Sequence, residues 1–315
     1  MSIREATLDD LPAFDLIRQA SYSWHYATLA AQRNWATAIP PEARILQLAA
    51  EVDGVVVGLG LAALNVTTSE PGVGFATCTV HPRFRRRGIG SALYERLDAH
   101  LGTLELRRAQ GYALDRPDIV AWAQARGWTS GASARYSAVG LDGLPPIPPT
   151  PAGANLVSLS ALTPEAVYEL DTRAAADEPG DVSHNGMPYD LWLSRLWNSP
   201  DLNHEMSQVA VVDGVPVAHT LIEANLHTGR CWSGGTATLP AYRGRGLAKV
   251  LKSVALRKAA AAGITTAVTA NDYTNAAMLA VNDWLGYKVI DSQRSMLKTF
   301  QGADDLADDD DGGRA

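Results

Sequence analysis

The chain is poor in sulfur, in positive charge and in long apolar runs. Cys78 and Cys231 are its two cysteines among 315 residues. Two isolated thiols exclude a disulfide framework and a sulfur-rich metal site. Each lies in a strand-like run, so buried free thiols and a cytoplasmic protein are expected. No apolar run is long enough to span a bilayer, and no charged-then-apolar leader opens the chain, so no membrane association is expected. Lys and Arg number 27 against 34 Asp and Glu, a formal net charge of −7. Asp304, Asp305, Asp308, Asp309, Asp310 and Asp311 oppose only Arg314, so residues 303–315 read as an acidic, solvated and disordered tail. The remaining body is near neutral, which argues against nucleic-acid or anionic-lipid partners.

Against these absences stands one loop present twice. The first copy is Val80-His81-Pro82-Arg83-Phe84-Arg85-Arg86-Arg87-Gly88-Ile89-Gly90. The second is Thr238-Leu239-Pro240-Ala241-Tyr242-Arg243-Gly244-Arg245-Gly246-Leu247-Ala248. Both follow a strand-like run and open an apolar-periodic helix. Such a loop aims successive backbone N–H groups, at the positive end of a helix, toward a pyrophosphate. Glycine lets the backbone approach without a Cβ in the way. Arg83, Arg85, Arg86 and Arg87 are placed for phosphates rather than for nucleic acid, and Lys249 and Lys252 are candidates for the same task in the second copy. Neither loop has the Gly-Lys-Ser/Thr of a nucleotide hydrolase or the Gly-x-Gly-x-x-Gly of a dinucleotide dehydrogenase.

Other landmarks repeat in register. Val52-Asp53-Gly54-Val55 returns as Val212-Asp213-Gly214-Val215, and Gly127-Trp128 returns as Gly286-Tyr287, at offsets of 158 to 160 residues. Shared offsets argue for duplication. The spacing predicts an N-terminal domain over 1–142, a proline-rich linker over 143–153 and a C-terminal domain over 154–302. In the first half, a strand at Ile3–Ala6, a helix bearing Leu11, Phe14 and Ile17, and a hairpin turned at Asp53-Gly54 come before the loop. A strand at Thr103–Leu106, a helix at Pro117–Arg126 and a strand at Tyr136–Leu141 come after it. The second half runs alike, with a helix at Asp190–Asn198, a strand at Cys231–Thr238 and a helix at Asn275–Leu285. Strands and helices in this mixed order predict an α/β (α+β) fold, twice.

These residues resemble the GNAT superfamily of acyl-CoA N-acyltransferases. The resemblance rests on Arg85-x-x-Gly88-x-Gly90 and Arg243-x-x-Gly246-x-Ala248, on Val80-x-Pro82 and Leu239-Pro240, and on Gly127-Trp128 and Gly286-Tyr287. Asn275-x-x-Met278-x-x-x-Asn282-x-x-x-Gly286-Tyr287 is similar to the family's late helix. The order looks like the tandem two-domain type to which mycothiol synthase belongs. The resemblance implies two mixed, mostly antiparallel sheets flanked by helices, each splayed where a pantetheine arm inserts. It implies acetyl-CoA, or another short acyl-CoA, as donor and direct attack by a small-molecule primary amine. As cofactor-binding residues it implies Val80, Arg85, Arg86, Arg87, Gly88, Ile89 and Gly90, and Thr238, Leu239, Arg243, Gly244, Arg245, Gly246, Leu247, Ala248 and Asn275.

The chain departs from the family at the chemistry. Where a Glu often stands before the loop, it has Ala76 and Thr77, and Gly234 and Gly235. Asn282 occupies the place of the thiol-protonating Tyr, with Ala123 opposite it in the first half. Candidate bases are His219 and Glu223, four apart on one strand face; the plainer reading makes His219 a satisfied polar residue at a sheet edge. Asp177, Glu178 and Asp181 form an acidic stretch at the expected acceptor entrance, as substrate-binding candidates, with a solvated loop as the plainer reading. Asp171 and His184 flank it without metal-ligand spacing, so no metal is expected. Trp24, His25, Tyr26, Trp192 and Trp197 are expected on the entrance helices. The leading reading is an N-acetyltransferase whose second half is catalytic; the alternative is a non-catalytic acyl-CoA-binding sensor or scaffold.

Overall fold

The computed structural model describes residues 1–175, 179–183 and 185–300. The acidic tail, Asp177, Glu178 and His184 lie outside the described residues. In chain order the first elements are β1 (Ser2–Glu5), α1 (Leu11–Ser21), α2 (Leu29–Thr37), β2 (Leu46–Val52), β3 (Val55–Leu64), β4 (Val73–Val80), α3 (Ile89–Leu101), β5 (Arg108–Leu114), α4 (Pro117–Gln124) and β6 (Thr129–Gly140). Then come β7 (Ala154–Ser158), α5 (Pro164–Ala175), α6 (Tyr189–Trp192), β8 (Gln208–Val212), β9 (Val215–Asn225), β10 (Arg230–Thr238), α7 (Leu247–Ala261), β11 (Thr266–Asp272), α8 (Ala276–Leu285) and β12 (Lys288–Thr299).

Two compact units interleave in sequence. Among the described residues, the first comprises 1–21, 40–132 and 294–300; the second comprises 22–39 and those of 133–293. The proline-rich stretch 143–153, which forms neither strand nor α-helix, therefore lies inside the second unit.

In the first unit β1, β2, β3 and β4 pair antiparallel in that order, and β5 adds to β4 in parallel. The apolar stripe of α1 (Leu11, Phe14, Ile17) packs on Ala49 and Leu59. The stripe of α3 (Ile89, Leu93, Leu97, Leu101) packs on Leu48, Ala50 and Ala62. Strand neighbours alternate faces, so the sheet is covered on both sides. Each fully buried Leu, Ile or Phe contributes roughly 1.5–3 kcal/mol.

In the second unit the order is β7, β8, β9, β10, β11, β6, antiparallel except for parallel β10 and β11. One core holds Val167, Leu170, Trp192, Val217 and Leu221; the other holds Ile222, Cys231, Ala255, Leu256 and Leu285. Both units carry the same early bulge. Register slips between Ala50 and Glu51 on β2, and between Ala210 and Val211 on β8, just before each Asp-Gly turn. The duplication read from the sequence is thus repeated in strand irregularity.

Three local expectations are corrected. Residues 103–106 form no strand; it starts at Arg108, because the chain must first return from the end of α3. Trp24, His25 and Tyr26 lie in a turn and extended chain before α2. The helix expected over Asp190–Asn198 is a short α6 followed by a π-type turn at Leu193–Trp197.

Candidate active site

Each loop is built alike. A short 3-10 turn opened by Pro82 or Pro240 follows the strand. Arg85 and Arg243 then turn back, each donating from Nε to a strand-end carbonyl, that of Val80 or Thr238, at 3.0 Å. The next residues alternate between ordinary and left-handed backbone: Arg86 at φ 61° and Gly88 at 83°, Gly244 at 75° and Gly246 at 85°. Gly88 and Gly246 are the N-caps of α3 and α7, and neither helix has a side-chain cap. A Cβ placed on Gly88, Gly244 or Gly246 meets no protein atom within 4 Å. The cradles are open, each ends at a helix N-terminus with no side-chain cap, and both fit a pyrophosphate.

The strands before the loops differ. β4 pairs with β3 in unbroken register from Gly74 to Val80. β10 slips against β9: Gly234 pairs with Leu221, but Ala237 pairs with His219. β10 therefore has one residue too many between these pairs, a bulge containing Gly235 at φ 49° and Thr236. Gly234 has no room for a side chain, since a Cβ there would lie 2.0 Å from Trp232 Nε1. A bulge turns backbone N–H groups out of the ladder. Beside each strand the parallel partner also stops short. β4 pairs with β5 over Val73–Ala76, and β10 with β11 over Arg230–Trp232, while both strands run on unpaired on that side. The first gap leads into a cavity of about 110 Å³ lined by Cys78, Tyr94, Leu97, Trp122, Trp128 and Met296.

On β9 the bulged strand faces a carboxylate. Glu223 pairs with Trp232 across the ladder. The Tyr26 hydroxyl donates to Glu223 Oε2 at 2.8 Å. Burial pushes the Glu223 carboxyl up to about 6, the Tyr26 hydrogen bond opposes the rise, and the charge of Asp201 adds to it. Asp201, itself buried, accepts from Thr28 N at 2.9 Å and from Thr28 Oγ1 at 2.5 Å. Asn225 Nδ2 donates to the Tyr26 carbonyl at 2.8 Å. Residues 22–28 are thus fastened to β9 around a carboxylate poised near neutrality.

A family model for the acetyltransferase (GNAT) family matches residues 7–125 and again 167–287, more than half of the chain. The chain belongs to the GNAT acetyltransferase family. It is similar to the GCN5-related N-acetyltransferase of Sphaerobacter thermophilus, with a TM-score of 0.72, 18% identity and 95% of each chain covered. It is similar also to the tandem GNAT protein of the clavulanic acid biosynthesis pathway, with a TM-score of 0.71, 19% identity, and 95% of this chain and 98% of that one covered. No curated protein sequence matches it.

In this GNAT acetyltransferase the candidates read from sequence separate. His219 lies inside the sheet, paired to Val209 and Ala237, fully buried, and not at an edge. Its Nε2 is 3.2 Å from Asp171 Oδ1, and Trp192 Nε1 donates to Asp171 Oδ2 at 2.9 Å. Burial raises the Asp171 carboxyl, but His219 and Trp192 together hold it below the usual range. Asn282 is buried on α8 and donates to Asn271 Oδ1 at 2.6 Å. The Asn275 side chain caps α8, accepting from Met278 N at 3.2 Å. Arg245 donates to the Ala241 carbonyl at 2.9 Å and lies over Tyr242, while Lys249 lies 3.8 Å over Trp284. Asp181, the described member of the acidic stretch, sits in a bend before α6.

Lys252 corrects its expectation. It is not a phosphate ligand at the loop but sits buried against β10, six residues into α7, about 9 Å along the helix. Sequence reasoning passed over Asp201, Thr28 and Asn225, and placed Tyr26 only as an entrance aromatic. Asp201 lies before β8 and Asn225 ends β9, and isolated polar residues at such places are too common to single out. Cys78 and Cys231 are free thiols; Cys231 is buried as expected while Cys78 is half-buried, and desolvation pushes each up to about 12. No helix among the described residues is long and apolar enough to cross a membrane, and none of their His, Cys, Asp and Glu clusters could hold a metal.

Proposed function

We propose that the second unit transfers an acetyl or other short acyl group from acyl-CoA to the primary amine of a small molecule, by direct attack. The carrying observation is Glu223, a buried carboxyl raised to about 6 and oriented by Tyr26, beside the bulged strand β10. Acyl-CoA, when bound, supplies an activated thioester. The Gly244–Gly246 cradle and the first turn of α7 hold its pyrophosphate. N–H groups released by the bulge at Gly235 and Thr236 polarise the acyl carbonyl oxygen, an oxyanion-type contribution. Tyr26 fixes Glu223 through Oε2, and the carboxylate takes a proton from the amine, at a pKa suited to general-base work near neutrality. Asp201 and Glu223 together favour a cationic acceptor. His219 serves as a buried brace for Asp171 in this reading. The Asp177, Glu178, Asp181 stretch remains a proposed acceptor rim, and free thiols support a reducing, cytoplasmic setting. The clavulanic-pathway tandem protein, similar in fold, is described as a form without AcCoA, which supports that donor here.

A different reading is favoured for the first unit. Counted from the two Asp-Gly turns, Ala63 stands where Glu223 does, and Leu59 where His219 does. With β4 unbroken and no base, that unit binds acyl-CoA without turning it over. Thiol release from acetyl-CoA, measured over a library of small amines, tests the assignment. An amine that drives release by the native protein but not by Glu223→Gln supports it; equal release by both sinks it.

A further inference from the structure

The gap beside β10 carries a buried polar set on its α7 side. Ser233 is the first β10 residue past the last β11 partner. Asn271, on β11 beyond Val268, is bonded to Asn282 from α8. Lys252 reaches in from α7, 1% exposed, and its Nζ donates to the Ser233 carbonyl at 3.3 Å. The same Nζ lies 5.4 Å from the Tyr287 ring centre. Ser233 Oγ, Asn282 Oδ1 and Tyr287 Oη are buried with no hydrogen-bond partner among the described residues. The Tyr287 hydroxyl neighbours Ser233 and makes no hydrogen bond of normal geometry with it. Lys252 has three donors and satisfies one of them here. No carboxylate pairs with it among the described residues; its titratable neighbours are Cys231 on β10 and Tyr287.

Such a set is costly unless something enters to use it. The first unit shows the contrast. Six residues past its N-cap glycine stands Tyr94, whose hydroxyl accepts from Trp128 Nε1 at 2.8 Å and donates to Asp98 at 3.0 Å. There the hydroxyl beside the cavity is fully partnered; in the second unit the set is left with open donors and acceptors at the head of the gap.

We infer that Lys252 Nζ is the proton donor to the departing thiol sulfur of the acyl donor, with Ser233, Asn282 and Tyr287 holding it in place. This rests on the acyl-CoA reading above. As the amine nitrogen bonds to the acyl carbon, the carbon–sulfur bond breaks and its electron pair passes to sulfur. Lys252 gives that sulfur a proton and becomes neutral; Glu223 takes the proton lost by the amine. Solvent returns one proton to Lys252 and removes one from Glu223 before the next turnover. Burial lowers the Lys252 ammonium to about 7, so it can release a proton near neutrality, as an ordinary lysine does not. The assignment also fills the place of the non-titrating Asn282.

The test uses CoA and desulfo-CoA on the native protein and on Lys252→Met. Because Lys252 gives up its proton near neutrality, bound CoA should remain a thiol, its proton shared with the neutral Lys252 amine, and should show no ultraviolet thiolate absorbance at neutral pH. CoA should bind the native protein roughly several-fold more tightly than desulfo-CoA, the scale of one neutral hydrogen bond, and Lys252→Met should erase that preference. Equal binding of the two ligands in the native protein, or a thiolate signal from bound CoA, overturns the inference and leaves the acyl-CoA reading standing. A preference for CoA that survives in Lys252→Met also overturns it. Binding of neither ligand overturns the acyl-CoA reading itself.

Discussion

The Tyr26 hydroxyl and the Glu223 carboxylate, 197 positions apart in sequence, share a 2.8 Å hydrogen bond in the second unit. That bond favours the ionised carboxylate, against burial and against Asp201. Removing it with Tyr26→Phe should raise the Glu223 pKa further above the native value of about 6. The acid limb of the kcat/KM profile should move to higher pH, with turnover reduced near neutrality. Glu223→Gln should lose turnover by about 10²–10³-fold at every pH, the usual scale for a missing general base. A pH–rate profile of Tyr26→Phe that superimposes on the native one would show that Glu223 is not the titrating base.

What the sequence disclosed follows from the range of the interactions. The cradles were legible because left-handed backbone at Gly88, Gly244 and Gly246 is a local demand that glycine meets at fixed spacing. Glu223 and His219 were legible as one face of a strand because side chains alternate. Their fates then diverged through partners that spacing does not reveal: Asp171 for one, Tyr26 and Asp201 for the other. Residues 22–39 count with the second unit, and no composition change marks that departure. Lys252 read as a surface cation because lysine seldom lies on a buried helix face without a carboxylate. The bulge at Gly235 was hidden as well, since two adjacent glycines fit several strand irregularities.

The two loops should be separable by mutation. Gly246→Glu places a side chain and a negative charge in the open second cradle, at a backbone angle that glycine tolerates best. Turnover should vanish there. Gly88→Glu should abolish donor binding at the first loop while keeping a substantial fraction of turnover. Calorimetric titration with acetyl-CoA should fall from up to two molecules per chain to one in either variant. Turnover surviving in Gly246→Glu and lost in Gly88→Glu would move the chemistry to the first unit.

Gly234 tests the bulge. Its added Cβ would meet Trp232 Nε1 at 2.0 Å, far inside van der Waals contact. Trp232 stacks on Tyr26 at 5.5 Å between ring centres, so displacing it should disturb the hold on Glu223. Gly234→Ala should destabilise by about 1–3 kcal/mol, the range for overpacking, and lower turnover more than it lowers donor affinity. Denaturant titration beside kinetics checks both; an unchanged midpoint with native turnover would show that β10 has slack at this point.

Lys252 gives a pH signature in stability, independent of any ligand. Burial depresses its ammonium from 10.5 to about 7, so the folded state binds this proton less tightly than the unfolded chain. A depressed pKa contributes stability that is fully present above the unfolded value and is lost as pH falls through the folded one. The window therefore runs from about pH 10.5 down to about pH 7. Cys231, at about 12, and Tyr287, pushed higher still, are held neutral across most of it and cannot supply the effect. Each pKa unit corresponds to about 1.4 kcal/mol, so the span amounts to several kcal/mol. Lys252→Met is close in volume and carries no charge. Measured by denaturant unfolding, the stability of the native protein relative to this variant should rise steadily between pH 7 and pH 10. A constant difference would mean that Lys252 keeps an ordinary pKa in the folded state, through water or an anion reaching its ammonium.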